Sequence, residues 1–268
     1  MKNENLDFIL VKRADVPELH KPVLVEGLPG VGNVGKLAAE HLLEEIGAVH
    51  FADIYSKHFP PQVLVDDDGL VNLVSNSLYY CKRKDGGSGD SWKDRDIVML
   101  VGDFQGITPE GQYSLCYEVL KVFADMGVER VFTLGGFGVG KMVEEPRVLG
   151  AASNMNMVED LKTHGVVFGN GEQPSSGIVG ASGLILGLAP LLSMEGVCLM
   201  GETSGYFVDP KSAEAVLKVL SSVLGLEVSM EALEKRAKEI EIITAKLKEM
   251  EGDMDGEPSL DDTLRYIG

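Results

Sequence analysis

Cysteine is scarce in this sequence, which has Cys81, Cys116 and Cys198 among 268 residues. The three are far apart and odd in number, so they predict neither a disulfide framework nor a thiolate metal clamp. The five histidines show no paired spacing on one helix face that would suit zinc. We therefore expect no structural metal.

Long hydrophobic runs are absent as well. No apolar segment approaches the roughly 20 residues that a helix needs to span a bilayer. The N-terminal residues MKNENLDF lack the apolar core of a signal peptide. We expect a cytoplasmic protein.

Positive charge is in short supply: 24 Lys and Arg face 42 Asp and Glu, a net charge of −18. Affinity for nucleic acid comes mainly from neutralising phosphates with basic side chains, and this chain has no basic surplus for that purpose. DNA, RNA and anionic membranes are therefore poor candidates as partners.

Apolar residues, in contrast, make up 44% of the chain and fall into short runs that alternate with helical patterns from Asp7 to about Leu226. Such alternation is typical of an α/β domain built on a mostly parallel sheet with helices on its faces. Several of the runs are apolar on both faces, as buried central strands are. The clearest predicted strands are PVLVEG, AVHFADIY, PQVLVD, GLVNLV, DIVMLVGD, ERVFTLGG and GVCLMGE.

Three helices are predicted within this region. Thr108 as N-cap and Pro109 at the first position open a helix that runs towards Met126. A further helix covers Ala213 to Leu224. The first helix follows a Gly-rich turn and is marked by apolar residues at helical spacing, Val34, Leu37, Ala38, Leu42 and Ile46.

Two connecting segments have distinctive compositions. QVLVD, GLVNLV and SLYYCK lie close together, with Asp-Asp-Asp-Gly between the first two, which predicts an inserted antiparallel hairpin. The stretch from Lys82 to Arg95 is polar and Gly-rich, so we expect an exposed loop.

The C-terminal part changes character, and we divide the chain into an α/β domain (1–228), an amphipathic helix (229–250) and a flexible acidic linker with a tail (251–268). Ser229 caps the helix, whose narrow apolar stripe suits two roles equally well: packing on its own domain, or a seam between subunits. Residues 251–262 carry six acidic groups and no basic one, a composition of solvated linkers. The residues that would form the subunit seam are Leu233, Ala237, Ile240 and Leu247.

Two Gly-rich segments, Gly30 to Leu37 and Gly135 to Met142, match the G-x4-G-K pattern of phosphate-binding loops. A P-loop needs Ser or Thr after the Lys to hold magnesium, whereas Leu37 and Met142 stand at that position. Neither segment should hydrolyse ATP. The glycines either allow tight turns and close helix approach, which we favour, or form an anion site at a helix N-terminus.

Polar side chains follow several predicted strands, where open α/β sheets usually place ligands. This set could form an acid/base pocket, or it could cap helices and hold turns, which we favour because spacing reveals no nucleophile and base pair. The set comprises Asp103, Gln105, Glu110, Glu144, Glu145, Arg147, Glu202, Thr203, Ser204 and the segment His58 to Gln62.

Six ungapped blocks between Val23 and about Met250 resemble, in the same order, the proteasome assembly chaperone 2 family, in particular its archaeal members. The resemblance implies a nucleoside phosphorylase-like α/β fold. It also implies a non-enzymatic, ATP-independent assembly chaperone without cofactors that self-associates, possibly with a paralogue, and binds α subunits of the proteasome core particle. The blocks are LVEGLPGVGNVGKLAAEHL, HFPPQVLVDDDG, GDFQGITPEGQY, TLGGFGVGKMVEEPRVLGAA, GIVGASGLILGL and GETSGYFVDPKSA.

The resemblance also implies a role for the C-terminus, because members of the family often carry a tail of a hydrophobic residue, Tyr and any residue that docks between α subunits. In this chain Tyr266 is third from the end, and Arg265 rather than an apolar residue precedes it. Here Leu264, Tyr266, Ile267 and the carboxylate of Gly268 supply those chemical types. The alternative for this tail is a frayed terminus or packing on its own domain. The alternative for the whole chain is an enzyme or binding protein for a small molecule, a nucleoside or a phosphorylated ligand, that uses the strand-end carboxylates.

Overall fold

A computed structural model of the chain describes residues 6–83, 91–169 and 177–239. Its ten strands within these ranges are β1 (Ile9–Lys12), β2 (Val23–Gly27), β3 (Val49–Tyr55), β4 (Val63–Val65), β5 (Val71–Leu73), β6 (Asn76–Cys81), β7 (Ile97–Gly102), β8 (Arg130–Gly138), β9 (Val148–Ala152) and β10 (Glu195–Thr203). The helices are α1 (Val34–Glu45), α2 (Pro109–Asp125), α3 (Met155–Lys162), α4 (Ala181–Leu188) and α5 (Pro210–Leu224).

Eight of the strands form one sheet in the order β1-β3-β6-β7-β2-β8-β10-β9. The four consecutive strands β7, β2, β8 and β10 are parallel, while β6, β3 and β1 on one side and β9 on the other are antiparallel. The predicted α/β class is confirmed. The structure adds the two edge strands β1 and β9, which the sequence pattern did not reveal.

The predicted hairpin is present as a separate two-stranded sheet, in which β4 and β5 pair antiparallel, Val63 opposite Leu73 and Val65 opposite Val71. The third segment of that group, SLYYCK, does not extend the hairpin. It forms β6 and pairs with β3 and β7 in the main sheet, because Leu78 on this strand is fully buried there.

The predicted helices begin where their capping residues place them. The Thr108 hydroxyl accepts a hydrogen bond from the Gly111 amide at 3.1 Å, and Pro109 occupies the first turn of α2. The helix expected from Ala213 begins three residues earlier, because the Asp209 carboxylate caps it by accepting from the Ser212 amide at 2.9 Å.

The helices cover both faces of the sheet. Helices α1, α3 and α5 pack on one face, and α2 and α4 pack on the other. Strand β2 is buried along its whole length between them. This double cover explains why the central strands are apolar on both faces.

The chain after α5 returns to its own domain. Residues 231–239 are helical, and Leu233 is buried in the layer formed by α1 and α5. The Ser229 amide donates to Glu45 at 3.0 Å, and the Ser229 carbonyl lies 2.5 Å from the ring Nε2 of His41. The first turns of this helix therefore pack on their own subunit.

Ala237 is 9% exposed and lies on the same side as Leu233. The other two residues expected at a subunit seam, Ile240 and Leu247, lie outside the described residues, as do the linker and the tail. The division of the chain at residues 228 and 250 and the intersubunit role of this helix remain predictions. Among the described residues, no helix combines the length and the apolar composition that a membrane crossing requires.

Candidate functional site at the carboxyl edge of the sheet

The parallel strands β7, β2, β8 and β10 end at one edge of the sheet, where the sequence predicted a set of strand-end polar side chains. Strand β2 leads into α1 on one face, whereas β7 leads into α2 on the other face. The crevice between these two connections is the position at which open α/β sheets usually bind ligands.

In this chain the crevice is filled by the side chain of Gln105. Its Nε2 donates to the Pro29 carbonyl at 2.6 Å, and its Oε1 accepts from the Ala181 amide at 2.8 Å. Gln105 thus ties the loop after β2 to the first turn of α4. The cavity left beside it has a volume of about 20 Å³, enough for one water molecule and too small for an organic ligand.

The first Gly-rich segment connects β2 to α1 as a P-loop would, but its glycines serve close packing. A Cβ at Gly35 would overlap the carbonyl oxygen of Leu134 on β8. Gly32, at φ +63°, lies against Thr203 at the end of β10. Lys36 lies 3.6 Å from Glu40, one turn along the helix.

The second Gly-rich segment is not a turn before a helix. Gly135, Gly136 and Gly138 lie within strand β8, and the next element after Lys141 is strand β9. A Cβ at Gly136 would overlap the carbonyl oxygen of Val31 in the first Gly-rich segment. The interpretation that these glycines form a turn is therefore wrong for Gly135, Gly136 and Gly138, which lie in a strand, where Gly136 lets two backbones approach each other across the sheet edge. It holds for Gly140, which follows the strand and has φ +70°.

Of the strand-end charged residues, Arg147 and Glu202 are brought together. The guanidinium Nε donates to Glu202 Oε2 at 2.9 Å and Nη2 donates to Oε1 at 2.5 Å. The hydrogen bonds from Arg147 lower the pKa of Glu202 below its usual value, against the opposing effect of burial. This carboxylate stays ionised and paired, which suits a structural clamp between β10 and the approach to β9.

The remaining members of the predicted polar set are dispersed. Asp103 accepts a hydrogen bond from the Ser75 amide at 3.1 Å and holds the turn beside β6. Glu110 lies exposed in the first turn of α2, and Glu144 and Glu145 are exposed in the loop before β9. His58 packs against Gly111 at the start of α2 and lies 3.3 Å from Asp7.

Sequence reasoning missed Glu26, a fully buried carboxyl group on the central strand β2. Its Oε1 accepts from the Leu28 amide at 3.0 Å, and its Oε2 lies 3.1 Å from Ser182 Oγ. Burial raises the pKa of Glu26 to about 7, although these hydrogen bonds oppose the rise. The signal in the sequence was a single acid inside the apolar run PVLVEG.

Metal binding finds no support in the described ranges, where no three side chains of His, Cys, Asp or Glu converge. The thiols of Cys116 and Cys198 are buried, and burial raises the pKa of each to about 12. Both therefore stay protonated at neutral pH and are poor nucleophiles.

Comparison with known proteins gives consistent matches over the whole domain. The model of the PAC2 family matches residues 24–248. An uncharacterized protein of Methanocaldococcus jannaschii, MJ1210, is 40% identical over 265 residues, covering 97% of this chain and 98% of the relative.

Two solved structures from Pyrococcus furiosus are similar to this chain. PbaB, described as an archaeal proteasome activator, has a TM-score of 0.82 and 38% identity, covering 91% of this chain and 99% of its own. PbaA, described as an archaeal homolog of proteasome-assembly chaperone, has a TM-score of 0.72 and 27% identity, covering 92% and 93%.

Proposed function

The chain belongs to the PAC2 family, and we propose that it is a non-enzymatic, ATP-independent assembly chaperone that self-associates and binds α subunits of the proteasome core particle. The family match confirms the resemblance that the six sequence blocks indicated. Together with the likeness to PbaA and PbaB, it supports a chaperone-like role linked to the proteasome. That likeness is the observation that carries the proposal.

The side chains at the carboxyl edge of the sheet support the non-enzymatic part of this proposal. Gln105 occupies the crevice, and Glu202 is committed to Arg147. Leu37 and Met142 carry no hydroxyl for magnesium. A small-molecule enzyme would need an open pocket with convergent polar groups, and the carboxylates foreseen for that alternative are dispersed.

We assign the contact with α subunits partly to the C-terminal tail. Tyr266 and Ile267 can bury apolar area in a groove between subunits while the Gly268 carboxylate pairs with a cation. The 18 residues after Met250 would reach roughly 21–25 Å as a flexible tether, enough to extend clear of the domain. Several tails on one oligomer would raise the avidity by about 10²–10⁴.

A binding assay with purified archaeal α subunits tests this proposal. The full chain should retain the subunits, and deleting Leu264 to Gly268 or changing Tyr266→Ala should weaken the retention sharply. The circular dichroism spectrum and the oligomeric mass should stay unchanged. Thr263→Ala, just outside the tail, serves as the matched control, and equal binding by the truncated chain would refute the role of the tail.

A second candidate role, activation of the finished core particle, is favoured by the likeness to PbaB, a proteasome activator by description. Two assays on the same purified protein distinguish these roles. A chaperone should raise the yield of core particles assembled from isolated subunits, whereas an activator should speed peptide hydrolysis by particles that are already assembled. An effect confined to assembled particles would exclude the chaperone role.

A further inference from the structure

The β4–β5 hairpin, residues 63–73, is the most conspicuous apolar feature of the described surface. Val65, Val71 and Leu73 are 65%, 67% and 61% exposed. They lie on one face together with Val63, because Val63 opposes Leu73 and Val65 opposes Val71. An isolated two-stranded hairpin is at best marginally stable in water, and exposed apolar patches of this kind mark interaction sites.

The hairpin is nevertheless well formed at its tip. The Asp66 carboxylate accepts hydrogen bonds from the Leu70 amide at 2.8 Å and the Asp68 amide at 3.1 Å. Gly69 provides the turn residue with positive φ, at +81°. The side chain of Asp66 and the turn thus hold an apolar ribbon that ends in three consecutive acids, Asp66 to Asp68.

Beside the hairpin lies an open groove of about 680 Å³. Val63 and Leu73 from the apolar face of the hairpin form one wall, and the start of β1, the end of β3 and the segment after β3 form most of the rest. The groove adjoins β1, the edge strand of the eight-stranded sheet. Its other apolar lining comes chiefly from Leu6, Ile9, Tyr55, Phe59 and Pro60.

We propose that the hairpin of one copy packs into the groove of a second copy of this chain, forming a two-fold interface. A two-fold interface requires one surface to be complementary to itself. This chain carries a protruding apolar element and an apolar receptor for it side by side, so one rotation seats two hairpins in two grooves. The proposal gives a surface to the self-association in the proposed function and rests on that part of it.

Charge favours the same occupant. The hairpin tip carries three acids, and two cations lie at the groove of the facing copy: Lys57 in its lining, and Arg13, which donates to the hydroxyl of the lining residue Tyr55 at 3.2 Å. Lys57, which pairs with Asp7, lines the groove and is about half-exposed, and Arg13 follows the edge strand and pairs with Asp53. Each cation can be shared between its own carboxylate and an incoming acidic tip, which lessens the repulsion that a net charge of −18 sets against self-association.

The C-terminal segment of the same chain is a less suitable occupant. Its first turns enter the layer of α1 and α5 through Leu233. The root of the hairpin, Phe59 and Val74, packs in the layer of α2 on the opposite face of the sheet. The segments at 1–5, 84–90 and 170–176 read MKNEN, KDGGSGD and NGEQPSS, which offer little apolar surface.

Sedimentation of the full chain with Val71→Asp tests the proposal. The wild-type chain should sediment as a multiple of 28.9 kDa, and the variant should lose about half of that mass or more. Asn72→Asp adds the same charge to the opposite face of β5 and should leave the mass unchanged. A monomeric wild-type chain, or an oligomer that survives Val71→Asp, would overturn the proposal.

A second measurement covers the case in which Val71→Asp fails to fold. Two differently tagged chains, one with Val71→Cys and one with Leu6→Cys, are mixed and treated with a short bis-maleimide. A cross-linked product that carries both tags is expected, since Val71 of one copy would lie near Leu6 of the other. The absence of this product would contradict a second copy as the occupant.

The proposed function is tested separately, by measuring whether the wild-type chain retains α subunits. If Val71→Asp leaves the oligomer intact while the wild-type chain binds α subunits, the hairpin inference fails and the function stands. If the variant dissociates and the wild-type chain does not bind α subunits, the function fails and the interface stands.

Discussion

Glu26 and Ser182 are joined by a partly buried contact of 3.1 Å that links the central strand β2 to helix α4. Ser182 Oγ also lies 3.2 Å from the Leu134 carbonyl on the neighbouring strand β8. When Glu26 is neutral, its carboxyl can donate to Ser182, whose hydroxyl then donates to Leu134. When it is ionised, Ser182 turns to donate to the carboxylate instead.

We predict that the free energy of unfolding falls as the pH rises between the pKa of Glu26 in the unfolded chain and its pKa in the folded chain. In this range the unfolded chain has released the Glu26 proton and the folded chain still holds it. The pKa of Glu26 is raised by burial from 4.5 to about 7. The folded state then binds more protons than the unfolded state between these values, so its advantage is full at pH 4 and lost above about pH 7. The loss amounts to about 3 kcal/mol.

Replacing Glu26→Gln removes this dependence, because the amide cannot ionise. Urea unfolding at pH 5 and pH 8 measures it, and the variant should gain about 2–3 kcal/mol relative to wild type between the two values. Glu110→Gln, on the exposed first turn of α2, is the control. An equal pH dependence in wild type and Glu26→Gln would show that Glu26 titrates normally.

The contact between the first Gly-rich segment and strand β8 should be sensitive to a single methyl group. Gly35→Ala places a Cβ on the Leu134 carbonyl oxygen and should destabilise the fold by about 1–3 kcal/mol through overpacking. Gly187→Ala is the matched control, since no atom lies within 4 Å of its Cβ and alanine favours the helix. Thermal unfolding compares the two variants. An unchanged unfolding temperature for Gly35→Ala would show that Gly35 does not approach the Leu134 carbonyl closely.

The Gly-rich segments should not turn over nucleoside triphosphates. Leu37 and Met142 lack the hydroxyl that coordinates magnesium, so purified protein should show no magnesium-dependent phosphate release. Lys36→Ala and Lys141→Ala should keep the fold and the binding of partners. Hydrolysis that disappears in either variant would identify a nucleotide site.

The C-terminal helix remains predicted to contact a second subunit beyond its first turns. Leu233 is already buried by its own domain, so Ile240 is the residue to change. Ile240→Asp should reduce the oligomeric mass seen by light scattering at micromolar concentration. Lys238→Gln alters the net charge by the same amount and should have no effect, and an unchanged mass with Ile240→Asp would remove the helix from the interface.

Sequence patterns predicted the central strands and main helices because these carry strong local signals: apolar runs, Thr108 as a cap, Pro109 in a first turn. The edge strand β9 escaped notice because its sequence, VLGAA, contains one glycine and two alanines, which are depleted in strands. The edge strand β1, ILVK, is only partly buried and shows no clear alternation. Gly135 and Gly136 indicated a turn by composition, whereas the approach of Val31 makes glycine necessary inside a strand. Such tertiary demands override local preference.

The candidate site was predictable only in its position. Arg147 and Glu202 were both expected at the edge, but their pairing spans 55 residues and depends on β9 lying next to β10. Glu26 was hidden for the same reason, since Ser182 is 156 residues away. The role of Gln105 required knowing that Pro29 and Ala181 face each other across the crevice.

Gln105 would compete with any free ligand for the crevice at the carboxyl edge of the sheet. The carboxamide of Gln105 binds within its own chain, so its occupancy of the crevice does not depend on the protein concentration. A free metabolite would have to displace this side chain, and it would lose translational and rotational entropy on binding that the covalently attached side chain does not lose. Within the described residues, the Gln105 side chain thus occupies the binding position common to this sheet architecture.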